Sequence, residues 1–383
     1  MHIAGGLYRE LCHVPAWNAV FGSGGRAAAA VSVLSPGSSL HAYSEDFDSS
    51  GVTSLRELGI DMCLSPRSTA IAFAYFHPLS RPYIQPLPDE VMHQPAIHVS
   101  GDAVLRFGFL EGDVVVDARR AVYDPQTWRD PAPFGANGSV AGELAIVLNE
   151  LELRSAAGLD DLSSAASRLM EHQGAAVIVA KGGVRGAMVF EPGGRVAHVP
   201  AFRSSRVFKI GTGDVFSAIF AHHWAEMGRP AVEAAEMASR SVAAYCSGGR
   251  LPLADDALGY QVPVRSAVLG SVALEGSVKT IGQRYAMEEA RFVLSELGVK
   301  VISPVLDGTS SVAPAAVLVL ADGFGDEAIE EVLRARATGT PVVVLCEGGA
   351  SASNALTDGP GVTVTDDFVS ALYFVAWAAA ERA

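Results

Sequence analysis

Cysteine and charge are both scarce in this chain. Its 383 residues include four cysteines, which stand far apart without metal-ligand spacing, so neither a disulfide scaffold nor a cysteine zinc site is expected. Charged residues make up 18% of the sequence, below the usual fraction of about a quarter. The 42 acidic residues outnumber the 28 lysines and arginines. This balance argues against nucleic acid as the main partner, because phosphate backbones require basic surfaces.

Long hydrophobic runs are also missing. No stretch of about 18 apolar residues predicts a membrane span, and the N terminus lacks the charged region followed by an apolar run that is typical of a signal peptide. We therefore expect a cytoplasmic protein with no membrane partner. Apolar residues account for 49% of the chain, which favours well-buried sheets, and 383 residues are too many for one ordinary core.

Strand-like and helix-like segments alternate along most of the sequence. Leu162–His172 has a helical pattern, Ala175–Ala180 is an apolar strand, and a second strand–helix series begins with the strand Ala267–Leu274. Such alternation predicts an α/β protein whose mostly parallel sheets are covered by helices. The pattern breaks near Ser247–Pro252, so we place a domain boundary near residue 258, with domains at 1–258 and 259–383.

The most informative motif is Gly211-Thr212-Gly213-Asp214, here called the glycine turn, which leads directly into an apolar, helix-like run. Glycines let successive backbone N–H groups point to one side, and a helix start adds its positive dipole end, so this pattern predicts an anion site. A carboxylate would repel a resting phosphate. Asp214 is better suited to take the proton of a hydroxyl that attacks the phosphate. The alternative is a tight loop in which Asp214 is only an N-cap.

Further motifs accompany the glycine turn in a fixed order. They are Gly5-Gly6 with an acid at Glu10, a second glycine-rich turn at Gly22–Arg26, Asn149-Glu-Leu-Glu152 after a strand, and Lys181-Gly-Gly-Val-Arg-Gly-Ala187. In this order, residues 1–258 resemble the ribokinase-like (PfkB) family of sugar and nucleoside kinases. The resemblance implies a three-layer α/β/α domain that uses ATP and Mg²⁺ to phosphorylate a hydroxyl of a small sugar or nucleoside.

The resemblance also implies roles for the catalytic and metal-binding motifs. Asp214 would be the base, and Gly211, Thr212 and Gly213 would form the anion hole for the transferred phosphoryl group. Asn149 and Glu152 match the NxxE motif that orders Mg²⁺ and its waters. From the residues alone, two other interpretations stay open: Asn149 as a strand-end turn residue and Glu152 as a solvated helix acid.

Two further sets of residues match binding motifs of the family. The nucleotide set comprises Lys181, Gly183, Gly186, Ser247 and Gly248. The substrate set comprises Glu10, Gly24, Gly25 and Arg26. Gly186 is also a natural hairpin-turn residue.

The chain departs from the family pattern at informative positions. Arg26-Ala27 stands where the family usually carries an asparagine, and Glu10 is one methylene longer than the usual aspartate. An acidic or phosphorylated acceptor therefore stays open beside a sugar or nucleoside. Phe208-Lys209-Ile210 replaces an Asp-Thr pair that helps to bind a monovalent cation, so we expect no potassium dependence. Lys209 either places its own charge near the phosphates or is solvated.

Residues 267–383 resemble the nucleoside 2-deoxyribosyltransferase family. The resembling segments are Leu274-Glu-Gly-Ser277, Gly282-Gln-Arg284 and Leu297-Gly-Val-Lys-Val-Ile-Ser-Pro304, followed by Asp322-Gly323. The resemblance implies a smaller Rossmann-like, flavodoxin-type domain that binds a nucleoside, with Glu331 at the position of the glycosyl nucleophile. Because the surrounding loops differ from that family, a non-catalytic nucleoside sensor or an oligomerising domain is the alternative. We expect a homo-oligomer, with a dimer as the simplest form.

Overall fold

The computed structural model describes residues 1–127, 131–253, 261–308, 313–335, 339–348 and 361–382. It divides into two compact units. The first comprises Met1–Gly182, Gly186–Ser204 and Lys209–Gln261, and the second comprises Gly183–Arg185, Ser205–Phe208 and Val262–Ala383. The predicted boundary near residue 258 lies outside the described residues, so it stays a prediction.

The first unit contains most of the strands. Its strands are β1 (His2–Ala4), β2 (Arg9–Cys12), β3 (Trp17–Val20), β4 (Ser39–Ser44), β5 (Asp61–Pro66), β6 (Ala72–Tyr75), β7 (Tyr83–Gln85), β8 (Ile97–Phe107), β9 (Val114–Asp124), β10 (Val140–Asn149), β11 (Val177–Lys181), β12 (Ala187–Glu191) and β13 (Arg195–Val199). Its helices are α1 (Gly22–Val31), α2 (Ser50–Glu57), α3 (Glu150–Ala157), α4 (Leu162–Gln173), α5 (Thr212–Ala221) and α6 (Ala231–Gly248). A π-helical turn at His222–Glu226 extends α5.

In the described part of the first unit, the main sheet has nine strands in the order β13-β12-β11-β10-β9-β8-β1-β4-β5. The strands from β11 to β5 run parallel, while β12 and β13 add an antiparallel edge. Ile146 and Leu148 of β10 pack in a core cluster with residues of α3 and α4, and the intervening Ala145 and Val147 are equally buried. Both faces of the sheet are therefore covered, as the α/β/α prediction requires.

A small four-stranded sheet accompanies the main one, in the order β3-β2-β6-β7. Strand β2 carries Glu10 and pairs antiparallel with β3 and parallel with β6. The proline-rich stretch 78–95 contains one short strand, β7, which pairs antiparallel with β6.

The second unit is a separate α/β sandwich. Its strands are β14 (Ser271–Gly276), β15 (Lys300–Ile302), β16 (Ala316–Leu320), β17 (Val342–Leu345) and β18 (Val362–Thr365). Its helices are α7 (Ile281–Glu296), α8 (Pro304–Asp307), α9 (Asp326–Ala335) and α10 (Phe368–Ala380). The described strands form one parallel sheet in the order β15-β14-β16-β17-β18. This 2-1-3-4-5 arrangement is the flavodoxin-like order, which confirms the predicted fold class.

Among the described residues, no helix combines the length and the apolar character that crossing a bilayer requires.

Candidate active site

The glycine turn forms the start of α5. Gly211 is the N-cap residue and has a φ of +74°, while Asp214 lies in the first helical turn. The Asp214 carboxylate is buried; its Oδ1 accepts a hydrogen bond from Gln126 Nε2 at 2.8 Å and its Oδ2 accepts one from Arg26 Nη1 at 3.2 Å. Asp214 is therefore not the N-cap of this helix. Its side chain belongs to a network that reaches other elements.

Arg26 is the centre of that network. It lies in α1 with 1% of its surface exposed. Its Nη1 donates to Glu10 Oε1 at 2.8 Å, and its Nη2 contacts Glu10 Oε2. Its Nε donates to the Tyr245 hydroxyl at 3.1 Å, and that hydroxyl donates to the Ile210 carbonyl at 2.9 Å. We call Glu10, Arg26, Asp214 and Tyr245 the Arg26 cluster.

The Arg26 cluster pairs two of the predicted substrate residues, Glu10 and Arg26, with each other. Two carboxylates, Glu10 and Asp214, neutralise the one guanidinium. Arg26 is therefore already paired and does not offer an unpaired positive charge to an anionic acceptor. Gly24 and Gly25 lie in the same helix, and a Cβ at Gly24 would come within 2.6 Å of the Gly5 carbonyl oxygen. Glycine at 24 thus lets the helix start approach the end of β1 closely.

The ionisation of Asp214 reflects its surroundings. Burial raises the pKa of this carboxyl, because a charge is poorly stabilised away from water, while Arg26 and the hydrogen bond from Gln126 oppose the rise. A carboxylate held in this balance is suited to accept a proton.

A second charged group lies beside the first. Asp124, the last residue of β9, accepts hydrogen bonds from Lys181 Nζ at 2.6 Å and from the Ser217 hydroxyl at 2.7 Å. Gln126 has a φ of +58°, and its backbone N–H lies 3.3 Å from Asp124 Oδ1. Burial opposes protonation of Lys181, but the carboxylates of Asp124 and Glu152 outweigh it and raise its pKa.

Asp124, Gln126 and Tyr245 are site residues that the sequence motifs did not indicate. A signal for Asp124 was present, because it ends a strand just as Asn149 does. Strands β9 and β10 are parallel neighbours, so residues at their carboxyl ends meet at one edge of the sheet, where ligands of open α/β folds bind. Gln126 and Tyr245 had no local signal.

Asn149 and Glu152 form a capping box at the start of α3. Asn149 Oδ1 accepts from the Glu152 N–H at 2.8 Å, and Glu152 Oε2 accepts from the Asn149 N–H at 2.7 Å. Glu152 is buried, so the solvated-acid alternative is wrong. Burial, and next the charge of Asp124, raises the pKa of Glu152 to about 7.

These residues fit a magnesium ion held through water. Two buried carboxylates, Asp124 and Glu152, face one ammonium, Lys181, which leaves negative charge for a hard cation that prefers oxygen ligands and retains its waters. The described residues contain no group of three or more His, Cys, Asp or Glu side chains arranged to hold a metal directly. The charge balance therefore agrees with the indirect role expected of the NxxE motif.

Lys209 is not a solvated lysine. Its Nζ donates to Thr212 Oγ1 at 2.7 Å, and burial lowers its pKa. Among the described residues it forms no ion pair with a carboxylate, unlike Arg26 and Lys181. It adds positive charge to the helix start at the glycine turn.

The other predicted nucleotide-loop residues are more scattered. Gly186 closes the hairpin between β11 and β12, where its carbonyl accepts from the Gly182 N–H at 2.7 Å. Gly183 groups with the second unit, whereas Lys181 belongs to the first. Ser247 and Gly248 lie exposed in the last turn of α6. Their nucleotide roles stay predictions.

In the second unit, Asp322 follows β16. Its Oδ2 and Oδ1 accept the backbone N–H groups of Glu347 and Gly348 at 2.8 and 3.0 Å. Asp322 therefore ties the ends of two neighbouring strands together. Glu331 lies in α9, and its side chain is outside the described part of the structure.

Comparison with known proteins gives a partial family match. A protein-family model, the pfkB family carbohydrate kinase, matches residues 140–250, a segment with Asn149, Glu152, Lys181 and the glycine turn. A search of curated proteins found no match. The family match lies before the second unit's main segment, so the resemblance of residues 267–383 to nucleoside 2-deoxyribosyltransferases stays a prediction.

Solved structures show the fold. Ribokinase of Arabidopsis thaliana, complexed with ribose and ATP, is 14% identical with a TM-score of 0.51, over 68% of this chain and 98% of that one. Ribokinase of Thermotoga maritima is 16% identical with a TM-score of 0.47, over 67% and 97%. Fructokinase of Vibrio cholerae is 12% identical with a TM-score of 0.48, over 67% and 97%. The likeness to the Arabidopsis protein indicates a ribokinase-like fold.

The first testable prediction concerns Gly211. A Cβ there would lie 2.1 Å from the Arg26 side chain, and its φ of +74° strains any other residue. Gly211→Ala should therefore lower the thermal midpoint of unfolding by several degrees. Gly213→Ala is the matched control, since its Cβ would meet only Lys181 Nζ at 3.5 Å. Equal midpoints for the two variants would contradict the packing of Arg26 against the turn.

Proposed function

We propose that the chain transfers the γ-phosphoryl group of ATP to a hydroxyl of an uncharged sugar or nucleoside, with Asp214 as the general base. The observation that carries this proposal is the position of Asp214, a buried carboxylate in the first turn of a helix that begins with a glycine turn. The match of residues 140–250 to carbohydrate kinases supports the same chemistry.

In the proposed reaction, the backbone of the glycine turn binds the phosphoryl group, and the Asp214 side chain acts on the acceptor hydroxyl. Backbone N–H groups at the start of α5, together with Lys209, stabilise the charge on the transferred phosphoryl group. The acceptor hydroxyl oxygen attacks phosphorus, its proton passes to Asp214, and ADP leaves with the bond to the former γ-phosphate broken. ATP as the donor is supported by the ribokinase-like neighbour that binds ribose and ATP.

The charges of the Arg26 cluster favour an uncharged acceptor. Glu10 and Asp214 together carry one more negative charge than Arg26 neutralises. A phosphorylated or acidic acceptor would meet repulsion from the excess carboxylate, and Arg26, the cation of this cluster, is already paired. On the small sheet, the Trp17 indole donates to Glu10 Oε2 at 3.3 Å, so an acceptor hydroxyl that contacts Glu10 would share or displace hydrogen bonds that Glu10 already makes.

Asn149 and Glu152 would hold Mg²⁺ through water beside Lys181. The ion would supply positive charge to the donor phosphates. This chain's own part is to keep Glu152 fixed through the capping box, so that its carboxylate faces the carboxyl edge of the sheet.

An acceptor screen tests the proposal. Purified full-length protein with Mg-ATP is mixed with sugars, sugar alcohols and nucleosides, and separately with their phosphates, and ADP and phosphorylated products are measured. Transfer to an uncharged acceptor supports the proposal. Transfer confined to the phosphorylated compounds contradicts the acceptor class, and no transfer at all, with binding only, favours a sensor.

The second prediction concerns the base. Asp214→Asn keeps the size of the side chain but cannot accept the proton, so kcat should fall by on the order of 10²–10⁴ with little change in ATP affinity. Product formation under saturating substrates and ATP binding by calorimetry are the measurements. Near-normal turnover by this variant would remove Asp214 from the mechanism.

The third prediction concerns the metal. Glu152→Gln keeps an acceptor for the Asn149 N–H but removes the negative charge, so the Mg²⁺ concentration for half-maximal activity should rise several-fold. Glu150→Gln is the control, because Glu150 lies in the same helical turn but outside the capping box. An unchanged magnesium titration for Glu152→Gln would separate this residue from the metal.

A second candidate function belongs to the second unit. Its strand order puts a topological switch point between β14 and β16, the position where ligands bind in open parallel sheets. This observation favours a ligand-binding role, and a nucleoside as the ligand stays a prediction. Glu331 as a glycosyl nucleophile, and a sensor role in place of catalysis, both stay predictions.

A further inference from the structure

Arg26 contacts both carboxylates on the acceptor side of the site. The guanidinium lies 2.8 Å from Glu10 Oε1 and 3.2 Å from Asp214 Oδ2, and it is 1% exposed. We propose that Arg26 is a positioning residue, which orients the carboxylate of Asp214 and keeps it ionised for proton transfer. This inference rests on the proposed role of Asp214 as base.

The orientation of Arg26 is fixed from several sides. Glu10 meets both terminal nitrogens, and a planar guanidinium held by two such contacts has little rotational freedom. Nε is held by Tyr245, which in turn donates to the Ile210 carbonyl just before the glycine turn. The ring of Phe21 lies 5.3 Å from the guanidinium carbon. Arg26 therefore presents Nη1 to Asp214 in one defined direction.

Electrostatics gives Arg26 a second effect on the base. Asp214 is buried, and burial favours its protonated form, which cannot accept a proton. The positive charge of Arg26 stabilises the ionised form, whereas the negative charge of Glu10 destabilises it. Titratable and charged groups also act on Asp214 from the neighbouring elements, namely Glu10, Arg26, Tyr75, Asp124, Lys181, Lys209 and Tyr245.

The opposite effects of Arg26 and Glu10 on the pKa of Asp214 distinguish a positioning role from a purely structural one. Removing a positive neighbour should raise the pH at which Asp214 protonates, and removing a negative neighbour should lower it. A residue that only stabilises the fold would reduce activity at every pH and leave the titration of Asp214 in place.

The experiment follows the Asp214 carboxyl directly. Full-length protein is labelled with ¹³C at aspartate side-chain carboxyls, the Asp214 signal is assigned by its loss in Asp214→Asn, and its chemical shift is titrated by NMR. The variants are Arg26→Met, Arg26→Lys and Glu10→Gln. Arg56→Met is the control. Arg56 lies in α2, outside the Arg26 cluster, and pairs with the exposed Asp48.

The expected midpoints move in opposite directions. Arg26→Met should raise the Asp214 midpoint by about one to three pH units, Arg26→Lys should stay closer to wild type, and Glu10→Gln should lower the midpoint. Arg56→Met should leave it unchanged. The acidic limb of kcat/KM should follow the same order.

Other outcomes would overturn the inference. One is an unchanged or lowered Asp214 midpoint in Arg26→Met. If that variant does not fold, an unchanged or raised Asp214 midpoint in Glu10→Gln overturns the inference instead. If the wild type phosphorylates none of the acceptors, the proposed function fails, and the carboxyl titration still decides the role of Arg26.

Discussion

The site depends on pairing charges that are buried at the carboxyl edge of a parallel sheet. A buried carboxylate is costly unless a cation or hydrogen-bond donors compensate it. Arg26 compensates Glu10 and Asp214, and Lys181 compensates Asp124. These pairs join α1, β2, β9, β11 and α5, so the same contacts that permit burial also set the geometry of the proposed base.

The pairing leaves positive charge where a phosphoryl group would be transferred. Lys209 donates to Thr212 and, among the described residues, has no carboxylate partner. It therefore adds its charge to the N-terminal end of α5, whose dipole already favours anions. The acceptor side, in contrast, keeps an excess carboxylate. In the proposed reaction, one site thus offers a positive surface to a phosphate and a negative one to a hydroxyl, which is the polarity that proton abstraction requires.

The sequence predicted those parts of the structure that rest on local patterns. The alternation of apolar strands and helices predicted β11 and α4, and the glycine turn predicted the start of α5. Strands β2, β3 and β7 of the small sheet escaped prediction, since three or four residues between glycines and prolines carry little periodicity. Two partners of Arg26 are distant in sequence, because Asp214 lies 188 residues away and Tyr245 lies 219 residues away. Only the folded chain shows that Arg26 faces carboxylates.

The two units use their buried or strand-end carboxylates for different purposes. Asp214, in the first turn of α5, binds the side chains of Gln126 and Arg26, and Asp124 at the end of β9 binds the side chains of Lys181 and Ser217 besides the Gln126 N–H. Side-chain hydrogen bonds of this kind can be exchanged for a ligand without unfolding the backbone. Asp322 binds two backbone N–H groups of the segment after β17. Breaking those bonds would leave backbone donors unsatisfied, a loss comparable to that of a structural hydrogen bond. The acids of the first unit can therefore exchange most of their partners, whereas Asp322 in the second unit is committed to holding strand ends together.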